Sequence, residues 1–132
     1  MKGPLLMPDT AEVIRRFNAA FTERDVRLLD GLVAEACVME AIQPAPDGTR
    51  VEGREPCVAF WEGLIDDPRT TFAPVEVHVS GERATIRWRY RFGPGPADYV
   101  RGVNLMTVRD GQIVEALGYA KVPAIQNSTG GQ

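Results

Sequence analysis

The sequence has few of the residues on which metal sites and catalytic triads depend. It contains one histidine, His78, and two cysteines, Cys37 and Cys57, which do not form a CxxC motif. One histidine cannot supply a zinc-binding pair, and two distant cysteines do not make a disulfide framework. We therefore expect no metal ion and no cofactor. A Ser-His or Cys-His triad would depend entirely on His78, which lies in an alternating, strand-like pattern.

Long apolar runs and basic clusters are also missing. No apolar stretch approaches the roughly 20 residues that a transmembrane helix needs, and the segment before Asp9 is too short and too weakly basic for a secretory signal. Fifteen Lys and Arg residues against 18 Asp and Glu residues give a net charge of −3. Nucleic acid and membranes are therefore not expected as partners, and we expect a cytoplasmic protein.

Helical spacing of apolar residues dominates the first half of the chain of 132 residues. A capping-box-like start at Asp9 and the apolar residues after it predict a first helix over 10–22. A second apolar stripe predicts a helix over 25–35, and a third helix is expected between Gly53 and Asp66. After the helical part, the spacing of the apolar residues changes.

Alternation of apolar and polar residues predicts strands in the rest of the chain. The dipeptides Ser80-Gly81 and Asp110-Gly111 are two-residue hairpin signals, so neighbouring strands should pair antiparallel. The segment 43–53, rich in proline and glycine, is expected to be a loop. The predicted strands span 37–42, 72–79, 82–92, 99–109 and 112–122.

These elements predict an α+β fold in which a curved antiparallel β-sheet wraps on three N-terminal helices. The length fits a single domain, which we place at residues 9–122. Residues 1–8 and 123–132 carry no periodic pattern and are expected to be a flexible N-terminus and a flexible C-terminal tail.

Four segments of this pattern are typical of a known family: the first helix with Phe17, the run Leu32–Glu35 leading to Cys37–Glu40, the segment Glu52–Glu55 before Phe60-Trp61, and Val103–Glu115. On these segments the sequence resembles the nuclear-transport-factor-2-like superfamily. This superfamily of cone-shaped domains includes ketosteroid isomerases, SnoaL-like polyketide cyclases and limonene-epoxide hydrolases. The resemblance covers about residues 9–122, and it implies a cone that encloses a ligand cavity.

The resemblance also implies where functional groups would lie. The aspartate base of the isomerases would follow Glu40, where this chain has Ala41, and the tyrosine of their first helix would match Phe17. Their second oxyanion donor would match Asn104, which can still donate a hydrogen bond. The aspartate of the epoxide hydrolases would lie near Gly118. The acid and base groups of the family are therefore absent from the matching positions.

Alternation along the strands, taken with the resemblance, predicts an apolar cavity with few polar groups. The candidate catalytic residues are Asn104, Tyr90 and Glu40, although strand parity favours a solvated or ion-paired Glu40 over a general base. Asn104 could equally contact backbone or water, and core packing is the favoured alternative for the aromatic candidates. The candidate ligand-binding residues are Phe17, Met39, Ala41, Phe60, Trp61, Trp88, Met106 and Gly118.

Two functions fit these candidates. The first is binding of a small hydrophobic metabolite, steroid-like or polyketide-like, by an isomerase or a polyketide cyclase that needs no cofactor. The alternative is a non-catalytic ligand-binding or dimeric association module that keeps the fold without the acid and base aspartates.

The opposite face of the predicted sheet carries large apolar side chains beside charged ones. Dimerisation through this face is common in the superfamily, and we predict a homodimer in which arginines at alternate positions pair with Glu76 and Glu115. An anion site is the alternative role for those arginines. The predicted dimer contacts are Val103, Leu105, Leu117 and Tyr119.

Overall fold

The computed structural model describes residues 8–121, which form two α-helices and one open sheet of six strands. The helices are α1 (Thr10–Thr22) and α2 (Arg54–Asp66). The strands are β1 (Val33–Glu40), β2 (Arg50–Glu52), β3 (Thr71–Ser80), β4 (Arg83–Arg91), β5 (Tyr99–Arg109) and β6 (Gln112–Ala120). This architecture confirms the predicted α+β class. The predicted flexible ends fall largely on residues 1–7 and 122–132, outside the described residues.

Helix α1 begins where the capping pattern places it. The Asp9 side chain accepts a hydrogen bond from the backbone N–H of Glu12 at 2.9 Å. This bond satisfies one of the N–H groups that a helix start leaves free. The helix buries one apolar stripe against the sheet, formed by Val13, Ile14, Phe17, Ala20 and Phe21.

The prediction of three α-helices is wrong for the second one. Only a 3-10 helix, Val26–Leu29, forms there, and β1 begins at Val33. The chain leaves the helical conformation at Asp30, and Gly31 follows with a φ of 74° in the left-handed region. Val33 then pairs with Ile113 of β6, so a tertiary contact decides the conformation of an apolar segment that also has helical spacing.

The sheet is mixed, which corrects the prediction of an all-antiparallel sheet. Strand β1 lies between β2 and β6, and it pairs with β6 in parallel. Strand β2 was not predicted, because its three residues fall in the segment 43–53 that was expected to be a loop. It pairs antiparallel with β1, with Val38 opposite Glu52.

The predicted hairpins form between β3 and β4 and between β5 and β6. Asp110 and Gly111 both have positive φ, at 54° and 76°, as a type I′ turn requires. The sheet order is β2-β1-β6-β5-β4-β3. Strand β3 also contains an irregularity between Pro74 and Glu76 that inserts Val75 as an extra residue.

The core lies between the helices and one face of the sheet, which we call the inner face. Ile86 and Trp88 of β4, Met106 of β5 and Ala116 of β6 are buried there. On β4 the alternate residues point to the outer face, where Arg83, Arg87 and Arg89 are exposed. No helix within the described range 8–121 is long and apolar enough to cross a membrane.

Candidate functional site

A cavity of about 340 Å³ opens between the helices and the inner face of the sheet. Most of its wall is apolar or aromatic, with Asn104 and Gln43 as the amide groups and Glu40 as the acidic residue. The lining residues are Phe21, Met39, Glu40, Ala41, Ile42, Gln43, Phe60, Trp61, Leu64, Phe72, Trp88, Tyr90, Asn104, Ala116 and Gly118.

The structure brings most of the predicted site residues together around this cavity. All three catalytic candidates line it, and so do six of the eight ligand-binding candidates, namely Met39, Ala41, Phe60, Trp61, Trp88 and Gly118. Phe17 and Met106 are buried in the core and do not line the cavity. The Phe17 ring supports the wall from behind, because it packs edge-on against Trp61 with ring centroids 5.1 Å apart.

A hydrogen bond between two side chains crosses the sheet at the cavity. Trp88 lies opposite Gly102 of β5, and a side chain at Gly102 would overlap the Trp88 ring. The missing side chain therefore leaves room for the indole. The Trp88 Nε1 then donates a hydrogen bond to Asn104 Oδ1 at 3.1 Å, across the diagonal of the β4–β5 ladder.

This bond also fixes the orientation of the Asn104 amide. An indole N–H can only donate, so the amide oxygen faces Trp88 and the Nδ2 group faces away from it. Among the described residues, Asn104 Nδ2 makes no hydrogen bond. Asn104 lines the cavity, so its two N–H donors are available to a molecule bound there.

Glu40 stands at the rim of the cavity in an ion pair. Its carboxylate lies 3.3 Å from the Arg50 guanidinium, which also pairs with Glu52 at 2.8 Å. The neighbouring Met39 is buried and pairs with Ala116, so alternation directs the Glu40 side chain to the other side of β1. This geometry favours the ion-paired interpretation of Glu40 over that of a general base.

A series of aromatic rings connects α1 to the cavity wall. Ring centroids are 5.2 Å apart for Phe17 and Phe21, 4.8 Å for Phe21 and Phe72, and 5.1 Å for Phe72 and Trp88. Tilted pairs at such distances add to the stabilisation from burial. Four aromatic side chains thus hold the wall in one arrangement.

Sequence reasoning missed several lining residues as ligand contacts. Phe21 lies one helical turn after Phe17, and Phe72 is the register partner of Tyr90, so their positions were readable from the patterns. Ile42 ends the predicted strand 37–42 and lies beyond the last residue of β1, whereas Gln43 begins the segment 43–53 that was expected to be a loop. The remaining missed residue is Leu64.

The cysteines and the histidine lie away from the polar groups of the cavity. Burial raises the pKa of the Cys37 thiol to about 12 and also raises the pKa of Cys57, so both thiols are protonated at neutral pH. His78 contacts Glu76 at 3.0 Å on the outer face. Within residues 8–121, no group of three or more His, Cys, Asp or Glu side chains is arranged to hold a metal ion.

The sequence matches the SnoaL-like domain family over residues 14–116. The chain belongs to this family. A crystal structure of an NTF2-like protein of unknown function from Mesorhizobium loti is similar to this SnoaL-like chain, with 52% identity and a TM-score of 0.81. The match covers 86% of this chain and 91% of that one. The resemblance inferred from the sequence is therefore confirmed.

Two more distant crystal structures share the fold of this SnoaL-like chain. One is a candidate polyketide cyclase from Sinorhizobium meliloti, with 21% identity, a TM-score of 0.66 and coverage of 81% of this chain and 93% of that chain. The other is a candidate ketosteroid isomerase from Kribbella flavida, with 17% identity, a TM-score of 0.71 and coverage of 89% and 82%. No curated protein matches the sequence.

Proposed function

We propose that this protein binds a small hydrophobic molecule, steroid-like or polyketide-like, in the cavity beside Asn104. The observation that carries the proposal is the amide of Asn104, which Trp88 orients so that two N–H donors face an otherwise apolar wall. The cavity volume of about 340 Å³ falls in the range of about 300–1,000 Å³ that small-molecule sites occupy.

The chemistry proposed for this site is isomerisation or cyclisation without a cofactor. Asn104 would donate a hydrogen bond to a carbonyl or enolate oxygen of the ligand, and Tyr90 adds a phenol to the same wall. Ala41 and Gly118 replace the family's aspartates, so catalysis would rest on orientation and on stabilisation of developing negative charge. The names of the two distant structural relatives support this reaction class.

Fluorescence gives a direct test, because the only two tryptophans of the chain, Trp61 and Trp88, both line the cavity. A panel of steroid ketones and aromatic polyketides is titrated against the protein, and native mass spectrometry measures the stoichiometry. We expect the binding of at least one class to change the emission. In a Trp61→Phe variant the remaining change reports on Trp88 alone.

Two variants locate the ligand. Leu64→Phe adds volume to the cavity wall and is expected to weaken binding at least tenfold, whereas Val79→Phe, on an exposed part of β3, should leave it unchanged. Asn104→Leu should lower the affinity for ketones about tenfold and leave the affinity for analogues that lack the carbonyl unchanged. The proposal is wrong if neither compound class binds, or if Asn104→Leu leaves the affinity for ketones unchanged.

The second candidate function, a non-catalytic dimeric association module, draws on the outer face of the sheet. Leu105 and Tyr119 are 42% and 53% exposed there, and Val103 and Leu117 lie beside them. An apolar patch of this kind favours a contact with a second copy of the chain. Light scattering tests this proposal, since Leu117→Asp should yield a monomer from a wild-type dimer. A monomeric wild type would rule out the homodimer.

A further inference from the structure

The internal cavity has a closed end and an open end, as the burial of the inner face shows. Along β4 the inner-face side chains of Ile86 and Trp88 are buried, whereas Phe92, just after the strand, is 48% exposed. Met106 of β5, which lies opposite Ala84, is also buried. The cavity therefore closes near Ile86 and opens towards Phe92.

Two polar side chains of the cavity lie near its opposite ends. The β4–β5 ladder pairs Ile86 with Asn104, near the closed end, and Tyr90 with Val100, near the open end. These two pairs are four residues apart along β4, and a strand rises about 3.4 Å per residue. Side chains stand roughly perpendicular to a sheet, so the Asn104 amide and the Tyr90 hydroxyl are separated by a distance on the order of 10 Å. One ligand oxygen cannot contact both groups.

The wall between these two groups presents aromatic rings. Trp88 lies in the pair between them, opposite Gly102, and its indole N–H already donates to Asn104. Phe72 of β3 packs on the Trp88 ring with centroids 5.1 Å apart, and it lines the cavity as well. A flat apolar body therefore matches the middle of this wall, and a polar group matches each end.

We propose that the cavity binds an elongated ligand with one oxygen at each end of a flat apolar body, the first on Asn104 and the second on Tyr90. This inference rests on the proposed function, and it narrows the ligand class to compounds with two oxygen groups on the order of 10 Å apart. Asn104 presents N–H donors, so the first oxygen is an acceptor such as a ketone. A phenol both donates and accepts, so the second oxygen belongs to a ketone or a hydroxyl group.

The test compares rigid aryl ketones by calorimetric titration of the whole protein. The compound 2,6-diacetylnaphthalene carries an oxygen at each end, and 2-acetylnaphthalene is its counterpart with one oxygen. We expect the 2,6-diketone to bind about tenfold more tightly, since a net hydrogen bond contributes about fivefold and two equivalent orientations contribute about twofold. The isomer 2,3-diacetylnaphthalene places both oxygens at one end, so its gain over 2-acetylnaphthalene should be about twofold at most.

Variants of two tyrosines locate the second contact. Tyr90→Phe keeps the ring and removes the hydroxyl, so the advantage of the 2,6-diketone should fall to about twofold while the affinity for 2-acetylnaphthalene stays unchanged. Tyr99→Phe is the matched control, because Tyr99 lies beneath Arg89 on the outer face, and it should leave both affinities unchanged. Asn104→Leu should lower the affinity for both ketones about tenfold, as the proposed function requires.

Three results would overturn this inference. The first is that the 2,6-diketone gains no more than its 2,3 isomer does over 2-acetylnaphthalene. The second is an advantage that persists in the folded Tyr90→Phe variant, and the third is failure of the 2,6-diketone to bind a protein that binds a steroid ketone or an aromatic polyketide. Each of these results leaves the proposed function standing as long as a ketone binds and loses affinity in Asn104→Leu. If no ketone binds at all, the proposed function fails as well.

Discussion

The two faces of strand β4 differ sharply in burial and in charge. Residues that alternate along one strand form the buried wall of the core on one side and a charged surface on the other. The inner set is Ala84, Ile86 and Trp88, and the outer set is Thr85, Arg87 and Arg89. A period of two is thus sufficient for one strand to supply apolar residues to the core and charged residues to the surface at the same time.

The two faces also differ in the environment of their polar side chains. On the inner face the amide of Asn104 is oriented by one hydrogen bond, from Trp88. On the outer face the charges are exposed, and some of them pair, as Arg87 does with Glu76. Stability should therefore respond strongly to changes on the inner face and weakly to changes on the outer face. The four predictions below follow that order.

The largest difference in the free energy of unfolding is expected between variants at two adjacent residues of β4. Ile86→Ala leaves a cavity at a fully buried site and should lower the free energy of unfolding by about 2–5 kcal/mol. Thr85→Ala, on the outer face, should cost less than about 1 kcal/mol. Urea unfolding of both variants measures the difference. Equal losses in the two variants would contradict the division into an inner and an outer face.

The second prediction concerns the glycine beneath Trp88. A methyl group at Gly102 would overlap the Trp88 ring and the backbone of Tyr119, so Gly102→Ala should destabilise the protein by about 1–3 kcal/mol. Gly63 in helix α2 is the matched control, because nothing lies within 4 Å of a methyl group placed there. Gly63→Ala should stabilise the protein by up to about 1 kcal/mol. The midpoint of thermal unfolding should therefore fall in Gly102→Ala and rise in Gly63→Ala.

The third prediction is a pH dependence that originates on β1. Burial raises the pKa of Cys37 from 9.0 to about 12 in the folded protein. Between these values the thiol ionises only when the chain unfolds, so stability falls with rising pH by at most about 1.4 kcal/mol per unit. Denaturant unfolding from neutral pH upwards should show a shallower decline in Cys37→Ala than in the wild type. Parallel curves would contradict this origin.

The smallest effect on stability is expected from the Glu76 carboxylate on the outer face. Hydrogen bonds from Arg87 and then from His78, together with the charges of both side chains, lower the pKa of Glu76 below 4.5. The stabilisation is present above pH 4.5 and is lost as the pH falls through the lowered pKa. An NMR titration should place the carboxyl midpoint below 4.5 in the wild type. Arg87→Gln should raise the midpoint more than His78→Gln does, and the reverse order would show that His78 is the main partner.

Local signals predicted most of the fold. The cap at Asp9 and the turn at Asp110-Gly111 determine their own conformation through short-range hydrogen bonds and φ preferences, so the sequence alone located them. The parallel pairing of β1 with β6 joins residues about 80 positions apart, such as Val33 and Ile113. No local pattern encodes such a pair, and the segment before β1 was mistaken for a helix for that reason.

The candidate site was predicted where it depends on alternation and not where it depends on a loop. Trp88, Tyr90 and Asn104 follow from the period of β4 and β5 taken with the family resemblance, and the structure places all three at the cavity. The hydrogen bond between Trp88 and Asn104 was not predicted, because it depends on the space above Gly102 and on the β4–β5 register. The ion pair of Glu40 with Arg50 depends on β2, which was not predicted either.

The position of β6 between β1 and β5 has a consequence for how the protein is made. A chain that emerges from the ribosome completes β1 long before residues 112–120 exist. Until then the edge of β1 that will accept β6 has no partner, and the apolar residues behind it lack part of their cover. Final folding must therefore await synthesis of the last strand, and truncation before it should leave a chain that depends on chaperones and is prone to aggregate.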